Sequence, residues 1–241
     1  MILANLTHAI RTQNWFAVTL EFIIVIAGVV IGFQVNGWAE NRAAQAREGL
    51  ILCRLVDDFD LITLDVTQHV ADAEDSVAAA QSLADAASRG FTLDDLQGGA
   101  LFRATRLRIT PAGSATYGQL VASGEMSLIR SERLRAALTD FGEHLERHER
   151  AEAGIIPIMI SARPLFEFAS LTGEDINALP DALRADVLER LGSADFYFAM
   201  MVIRDLTGAS RSWKITTLEK LALVQDALAE VAPSCSERGT P

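Results

Sequence analysis

The chain has 241 residues, of which 50% are hydrophobic and 22% are charged. That composition excludes a disordered tail, which cannot bury enough apolar surface to offset its ordering entropy, and 16 Gly and 6 Pro exclude a collagen-like or linker composition. The 32 acidic residues outnumber the 21 basic residues and give a net charge of −11. Nucleic acid is therefore not expected as a partner, because a surface of that sign repels phosphate.

The first predicted element is a membrane-spanning helix over residues 15–38, which follows a short segment, 1–14. Residues 15–35 read WFAVTLEFIIVIAGVVIGFQV, which as a helix covers roughly 30 Å, the thickness of the hydrocarbon core. Trp15 and Trp38 bracket it, as amphipathic rings do at the two membrane interfaces. A secretory signal peptide is the alternative, with cleavage after Ala39. A retained span is favoured, because Arg11 is the only basic residue before this long apolar run.

Three residues of the predicted span suggest a helix–helix interface. Gly28 and Gly32 form a GxxxG motif, which lets two helix backbones approach closely in lipid. Glu21 precedes them by seven and eleven residues, so the three lie on one helical face. A carboxyl group in lipid is costly enough to suggest a function. The alternative is that Glu21 reaches the headgroups and the glycines are merely tolerated.

The predicted soluble domain covers residues 39–232 and opens with a long helix that ends at Gly90. Apolar residues recur there every three or four positions, the spacing of a coiled coil or of one buried helix face. This helix can pack within its own domain, which is the commoner outcome, or on a second copy. The apolar positions are Leu52, Leu55, Phe59, Ile62, Val66, Val70, Ala73, Val77 and Ala80.

Further helices are predicted in chain order, and alternating β-branched runs are nearly absent. The predicted helices are 92–107 with Thr92 as N-cap, 111–121, a periodic run capped by Ser131 and kinked at Pro157, 179–191, and 196–231 with a possible break at Gly208. The fold class is therefore all-α: a single N-terminal transmembrane helix running into a long helix, followed by a helical bundle. Residues 233–241 are predicted to be a flexible tail.

One helix carries a weak candidate metal site. His144, His148 and Glu152 lie four residues apart on one face, a spacing that suits a divalent metal. The run EHLERHERAE is so highly charged that a solvated helix face explains it without a metal. No metal site, cofactor or catalytic residue is therefore predicted.

Two stretches of the chain resemble a bacterial family of single-pass inner-membrane proteins that is known as a domain of unknown function. The first contains Glu21, the Gly-rich centre of the span and a Gln34-x-Asn36-x-Trp38 exit. The second is the block YGQLVASGEMSLI at 117–129, followed by Leu134 and Arg135. The resemblance covers about a quarter of the chain. It implies an inner-membrane location and a periplasmic soluble domain, and it brings no activity with it.

The basic residues that flank the span and the family resemblance favour opposite sides of the membrane for the soluble domain. Members of the family carry more basic residues before the helix, whereas here Arg11 stands alone and the arginines after the span weakly favour a cytoplasmic domain. The family resemblance is given more weight than the arginine count, because long domains translocate largely regardless of their charge, and a periplasmic domain is therefore expected. Cys53 and Cys235 could approach if the final helix returns beside the first, and they could then be bonded in an oxidising periplasm. The sequence does not establish that pairing.

The expected function is non-enzymatic. The chain is interpreted as a membrane-anchored helical protein that self-associates or acts as an accessory subunit of a membrane complex. Its expected partners are the lipid bilayer and either a second copy or another membrane protein. One alternative is a single-pass sensor that binds a small ligand or ion in its soluble bundle, and another is a membrane-tethered hydrolase.

Overall fold

The computed structural model describes residues 15–106, 113–161 and 172–236, and every regular element in these ranges is helical. The all-α prediction is therefore confirmed for this part of the chain. By their contacts the residues fall into two units, Met1–Leu50 and Ile51–Pro241.

The first helix, α1, extends from Trp15 to Arg89, 75 residues in all. It contains no proline, and Gly49 does not interrupt it. It ends where predicted, because Gly90 has a φ of 103°, a conformation that glycine adopts without steric cost. Residues of α1 belong to both units.

Short elements follow α1, and two of them differ from the prediction. The helix predicted over 92–107 is divided into a 3₁₀ segment, Leu93–Gly99, and α2, Ala100–Thr105. Gly98 and Gly99 both have positive φ, which turns the chain out of the helical conformation. Next, α3 spans Ala115–Ser123 rather than 111–121, because Ser114 caps it by accepting a hydrogen bond from the backbone N–H of Tyr117. Leu107 and Pro111 lie outside the described residues.

The remaining helices begin with a 3₁₀ turn, Glu125–Leu128, and end with a short helix that the sequence did not predict. They are α4, Glu132–Ser161; α5, Gly173–Asn177; α6, Asp181–Leu191; α7, Ala194–Val231; and α8, Pro233–Ser236. Ser131 caps α4 as predicted, because its hydroxyl accepts from the N–H of Leu134. Pro157 lies within α4, and α7 continues through Gly208. The short helix α5 was not predicted.

Helices α1, α4 and α7 share one apolar core in the second unit. Five of the α1 positions predicted to form an apolar face lie in this core, namely Leu52, Leu55, Phe59, Ile62 and Val66. Ala80 lies in the other buried cluster of the same chain. The completely buried side chains of this core include Leu55, Phe59, Val66, Leu134, Leu138, Phe141, Leu221 and Val224. A second cluster joins the end of α1 to α2, α5, α6 and the start of α7, around Leu83, Leu96, Ile176, Leu191 and Phe196.

A disulfide bond joins Cys53 of α1 to Cys235 of α8, with 5.2 Å between the two Cα atoms. The sequence left this pairing open. It also assigned 233–241 to a flexible tail, and that assignment is wrong for Pro233–Ser236, which form a helical turn. The disulfide and the burial of Cys235 hold this turn against the core. Residues 237–241 lie outside the described part of the chain.

Candidate functional site

The predicted interface residues of the span lie on an uncovered stretch of α1. Glu21, Gly28 and Gly32 are exposed, and a Cβ added at either glycine would meet nothing within 4 Å. At the end of the predicted span, Trp38 is exposed and the guanidinium of Arg42 lies 5.4 Å from its ring centroid. The side chain of Trp15 lies outside the described residues.

The same stretch is the most apolar part of the described chain. Among the described residues, one helix is long and apolar enough to cross a membrane, and it lies near the N-terminus. Its most apolar window has a mean hydropathy of 1.9, and none of that window is buried within the protein. Exposed apolar side chains there include Phe22, Ile23, Ile24, Val25, Ile31 and Phe33.

The second site is a group of six buried polar residues between α4 and α7, here called the polar cluster. Its members are His144, His148 and Glu152 of α4 and Ser210, Lys214 and Thr217 of α7, and none of them is more than 8% exposed. The interpretation of His144, His148 and Glu152 as a solvated helix face is therefore wrong. Their four-residue spacing places them on the side of α4 that packs against α7.

One part of the polar cluster is a chain of hydrogen-bonding groups that starts at His144. Its Nε2 lies 3.0 Å from the hydroxyl oxygen of Thr217. That oxygen is 3.4 Å from Nδ1 of His148, and Nε2 of His148 is 3.3 Å from Oε1 of Glu152. The Thr217 hydroxyl also lies 3.0 Å from the carbonyl oxygen of Trp213, so it has a choice of acceptors.

This series of hydrogen-bonding groups ends at a buried ion pair. Nζ of Lys214 lies 2.7 Å from Oε1 of Glu152 and 2.6 Å from Oγ of Ser210. The Ser210 hydroxyl donates to the same carboxylate oxygen at 3.1 Å. A buried ammonium is tolerated only when it is paired and hydrogen-bonded, and these contacts supply both requirements.

Trp213 lies beside the two histidines. Its ring lies 5.8 Å from that of His148 at an interplanar angle of 16°, and 5.6 Å from that of His144. Burial lowers the pKa of His144, and the nearby His148, Arg147 and Lys220 lower it further. These effects outweigh a hydrogen bond to the Trp213 backbone, which acts in the opposite direction. Folding therefore favours the uncharged form of His144.

The polar cluster does not resemble a metal or catalytic centre. The described residues contain no group of three His, Cys, Asp or Glu side chains placed to hold a metal ion, and here the Glu152 carboxylate contacts an ammonium group. Ser210 and Lys214 approach as a nucleophile and base would, but both side chains are buried and Lys214 is paired with Glu152.

The sequence pattern indicated the α4 half of the cluster, whereas the α7 half was not predicted. A signal was present, because Ser210, Lys214 and Thr217 continue the three- and four-residue spacing of buried positions along α7 between Ile203 and Leu221. A lysine in register with such a face predicts a buried cation, and a buried cation requires a nearby carboxylate.

Comparisons of the chain with protein-family models, curated protein sequences and solved structures return no match.

Proposed function

We propose that the chain is a membrane-anchored, non-enzymatic helical protein that self-associates, or joins a larger membrane complex, through the first part of α1. The observation that carries this proposal is the apolar window near the start of α1, of which nothing is buried within the protein. Water is a poor environment for such a surface, at about 25 cal/mol per Å² of apolar area, whereas a bilayer accepts it.

The face with Glu21, Gly28 and Gly32 supports association rather than anchoring alone. No described part of the chain covers either glycine, so a second helix can approach the backbone there. A carboxyl group in lipid is most readily accommodated when it faces another helix. A second copy of this chain is the simplest partner, because it brings the same face and a second carboxyl group.

The test is association of the full chain in a membrane two-hybrid or crosslinking assay. Gly28→Ile and Gly32→Ile should each reduce the signal severalfold, because the added side chains separate the backbones. Val30→Ile, on another face of the helix, is the matched control and should leave the signal unchanged. Equal behaviour of all three variants would exclude this face as the contact.

Glu21 provides a second arm of the same assay. Glu21→Gln should weaken association less than Glu21→Leu, because an amide can still form a hydrogen bond across the interface. If both variants associate like the unchanged protein, then Glu21 is not part of the contact.

The disulfide supports placing the second unit in an oxidising compartment. Disulfides such as Cys53–Cys235 persist in the bacterial periplasm and are rare in the cytosol. Together with the family resemblance, this favours an inner-membrane protein with a periplasmic domain. A carboxyl-terminal alkaline phosphatase fusion tests the location, because that enzyme is active only where its own disulfides form. A well-expressed but inactive fusion would place the domain in the cytoplasm.

A second candidate function is that of a sensor, and the polar cluster is the observation that favours it. A buried ion pair and two buried histidines are costly to desolvate, and a response to protons or ions is one reason for a bundle to retain them. The hydrolase alternative has no comparable support among the described residues.

A further inference from the structure

We propose that the polar cluster is a proton-operated switch in the α4–α7 interface: acidification adds a proton to its histidine pair, and the resulting positive charge weakens this part of the interface. The inference concerns the second unit alone and does not depend on membrane association. It rests on the arrangement of hydrogen-bonding groups around Thr217 and on the charges that surround the cluster.

With both histidine rings uncharged, one directed chain of hydrogen bonds satisfies the groups between His144 and Glu152. Nε2–H of His144 donates to the Thr217 hydroxyl, which donates to Nδ1 of His148, and Nε2–H of His148 donates to Glu152. A carboxylate only accepts hydrogen bonds, so the Glu152 contact assigns the proton of neutral His148 to Nε2.

One added proton fits the same geometry. A protonated His144 keeps its Nε2–H donor to the Thr217 hydroxyl, and that hydroxyl still has two acceptors, Nδ1 of His148 at 3.4 Å and the carbonyl of Trp213 at 3.0 Å. No hydrogen bond between these groups is lost. The two protonation states of His144 therefore differ in charge rather than in the number of hydrogen bonds.

The added charge is poorly balanced by its surroundings. Within the cluster, the carboxylate of Glu152 is already matched by the ammonium of Lys214. Elsewhere on α4 and α7, Arg147 and Lys220 add positive potential at His144, although Lys220 is itself paired with Asp140. A protonated histidine would thus be an excess cation in a buried interface.

Helix α1 is the third member of this bundle, and Asp72 is the buried carboxylate among its described residues. Asp72 is paired with Arg106 at 2.8 Å. Asp65 lies 3.7 Å from Nε2 of His69 and is half exposed to solvent. The buried carboxylate of α1 therefore already has a cationic partner.

The sign of the pH effect follows from His144. Its pKa is lowered in the folded protein, so the unfolded chain binds the proton more readily. The stabilisation is complete above the ordinary histidine value of about 6.5 and is lost as the pH falls through that value. As the pH falls through this range, the equilibrium constant for unfolding rises by up to about tenfold per pH unit for each extra proton that the unfolded chain binds.

Hydrogen exchange of the full chain in detergent micelles tests the switch. Rates are measured at about pH 7.5 and about pH 5, on either side of the ordinary histidine value, and corrected for intrinsic exchange with an unstructured peptide. Peptides from 144–152 and 210–217 should lose protection about tenfold or more at the lower pH. Peptides from 134–141 and 221–228 should change less. An equal change in both pairs of segments would overturn the proposal.

Variants assign the effect to the histidine pair. In the His144→Gln/His148→Gln protein, the difference between the two pH values should largely disappear, whereas His69→Gln on α1 should retain it. The same pH dependence in the double variant and in the unchanged protein would overturn the proposal. If the double variant does not fold, histidine ring NMR on the unchanged protein decides. A His144 signal that titrates at or above the ordinary histidine range would overturn the switch, and one that titrates below it would support the switch.

Discussion

The contact between α4 and α7 has two halves that are equally buried but chemically opposite. In the apolar half, Leu134, Leu138 and Phe141 pack with Leu221, Val224 and Leu228 in one core. In the polar half, His144, His148 and Glu152 meet Thr217, Lys214 and Ser210. The same pair of helices therefore uses non-directional packing at one end and directional pairing at the other.

The two halves determine the register of the helices in different ways. Apolar packing has little directionality, so a helix that slides by one turn can find other apolar contacts. The contacts of the polar half depend on the alignment of particular atoms, such as Nζ of Lys214 with Oε1 of Glu152. A slide of one turn, about 5.4 Å, would separate them. We expect the apolar half to supply most of the stability and the polar half to select one alignment.

The largest effect is expected from Lys214→Met, which removes the cation closest to Glu152. Breaking a buried pair on one side costs about 3–5 kcal/mol, because the other charge stays buried. The free energy of unfolding is measured with urea on the full chain in detergent. Lys220→Met is the matched control on the same helix, because the Lys220–Asp140 pair is more exposed and should be worth less than about 1 kcal/mol.

Removing both charges should cost less than removing one. Glu152→Gln combined with Lys214→Met should regain part of the stability that Lys214→Met loses, because no charge is then left without its counter-ion. If Lys214→Met behaves like Lys220→Met, the polar half of the interface does not depend on charge pairing.

A somewhat smaller effect is expected from Leu138→Ala in the apolar half, about 3 kcal/mol, from lost burial and the cavity left behind. Leu223→Ala on α7 is the control, since Leu223 is 49% exposed and its replacement should change stability by less than about 0.5 kcal/mol. Leu138→Met should cost less than about 1.5 kcal/mol, because the volume is conserved. If Leu138→Met costs as much stability as Leu138→Ala, then the apolar half depends on the exact shape of its side chains, as the polar half depends on the alignment of its atoms.

The smallest effect concerns Gly142, between the two halves. A Cβ there would overlap the ring and hydroxyl of Tyr117, so Gly142→Ala should cost about 1–3 kcal/mol. Gly154 lies on the same helix, and a Cβ there meets nothing within 4 Å. Gly154→Ala should therefore stabilise the protein by about 0.5–1 kcal/mol, because alanine favours the helix. Melting temperatures of the two variants should move in opposite directions, and a shared direction would place Tyr117 elsewhere.

Elements with local sequence signals were predictable. Helices with apolar spacing and local end signals, such as α1 with Gly90 and α4 with Ser131, were predictable because both signals lie within a few residues. The division at Gly98 and Gly99 was missed, because two glycines do not reveal which φ they adopt.

The polar cluster was misread for a different reason. A charged run on one helix looks solvated until the helix that faces it is known, and here the partner residue Lys214 lies 62 positions after Glu152. The Cys53–Cys235 bond, with a separation of 182 residues, is non-local in the same way. Local pattern therefore predicted the helices, whereas the pairing across helices required the fold.

The disulfide has a consequence for proteolysis. Cys53 and Cys235 close a covalent ring that contains every residue between them, and the apolar stretch of α1 lies outside that ring, on the amino-terminal side of Cys53. A protease that cuts the chain once inside the ring leaves both fragments attached through the bridge to the segment proposed as the anchor. Shedding of the domain would require a cut before Cys53, or a cut inside the ring followed by reduction of the bridge.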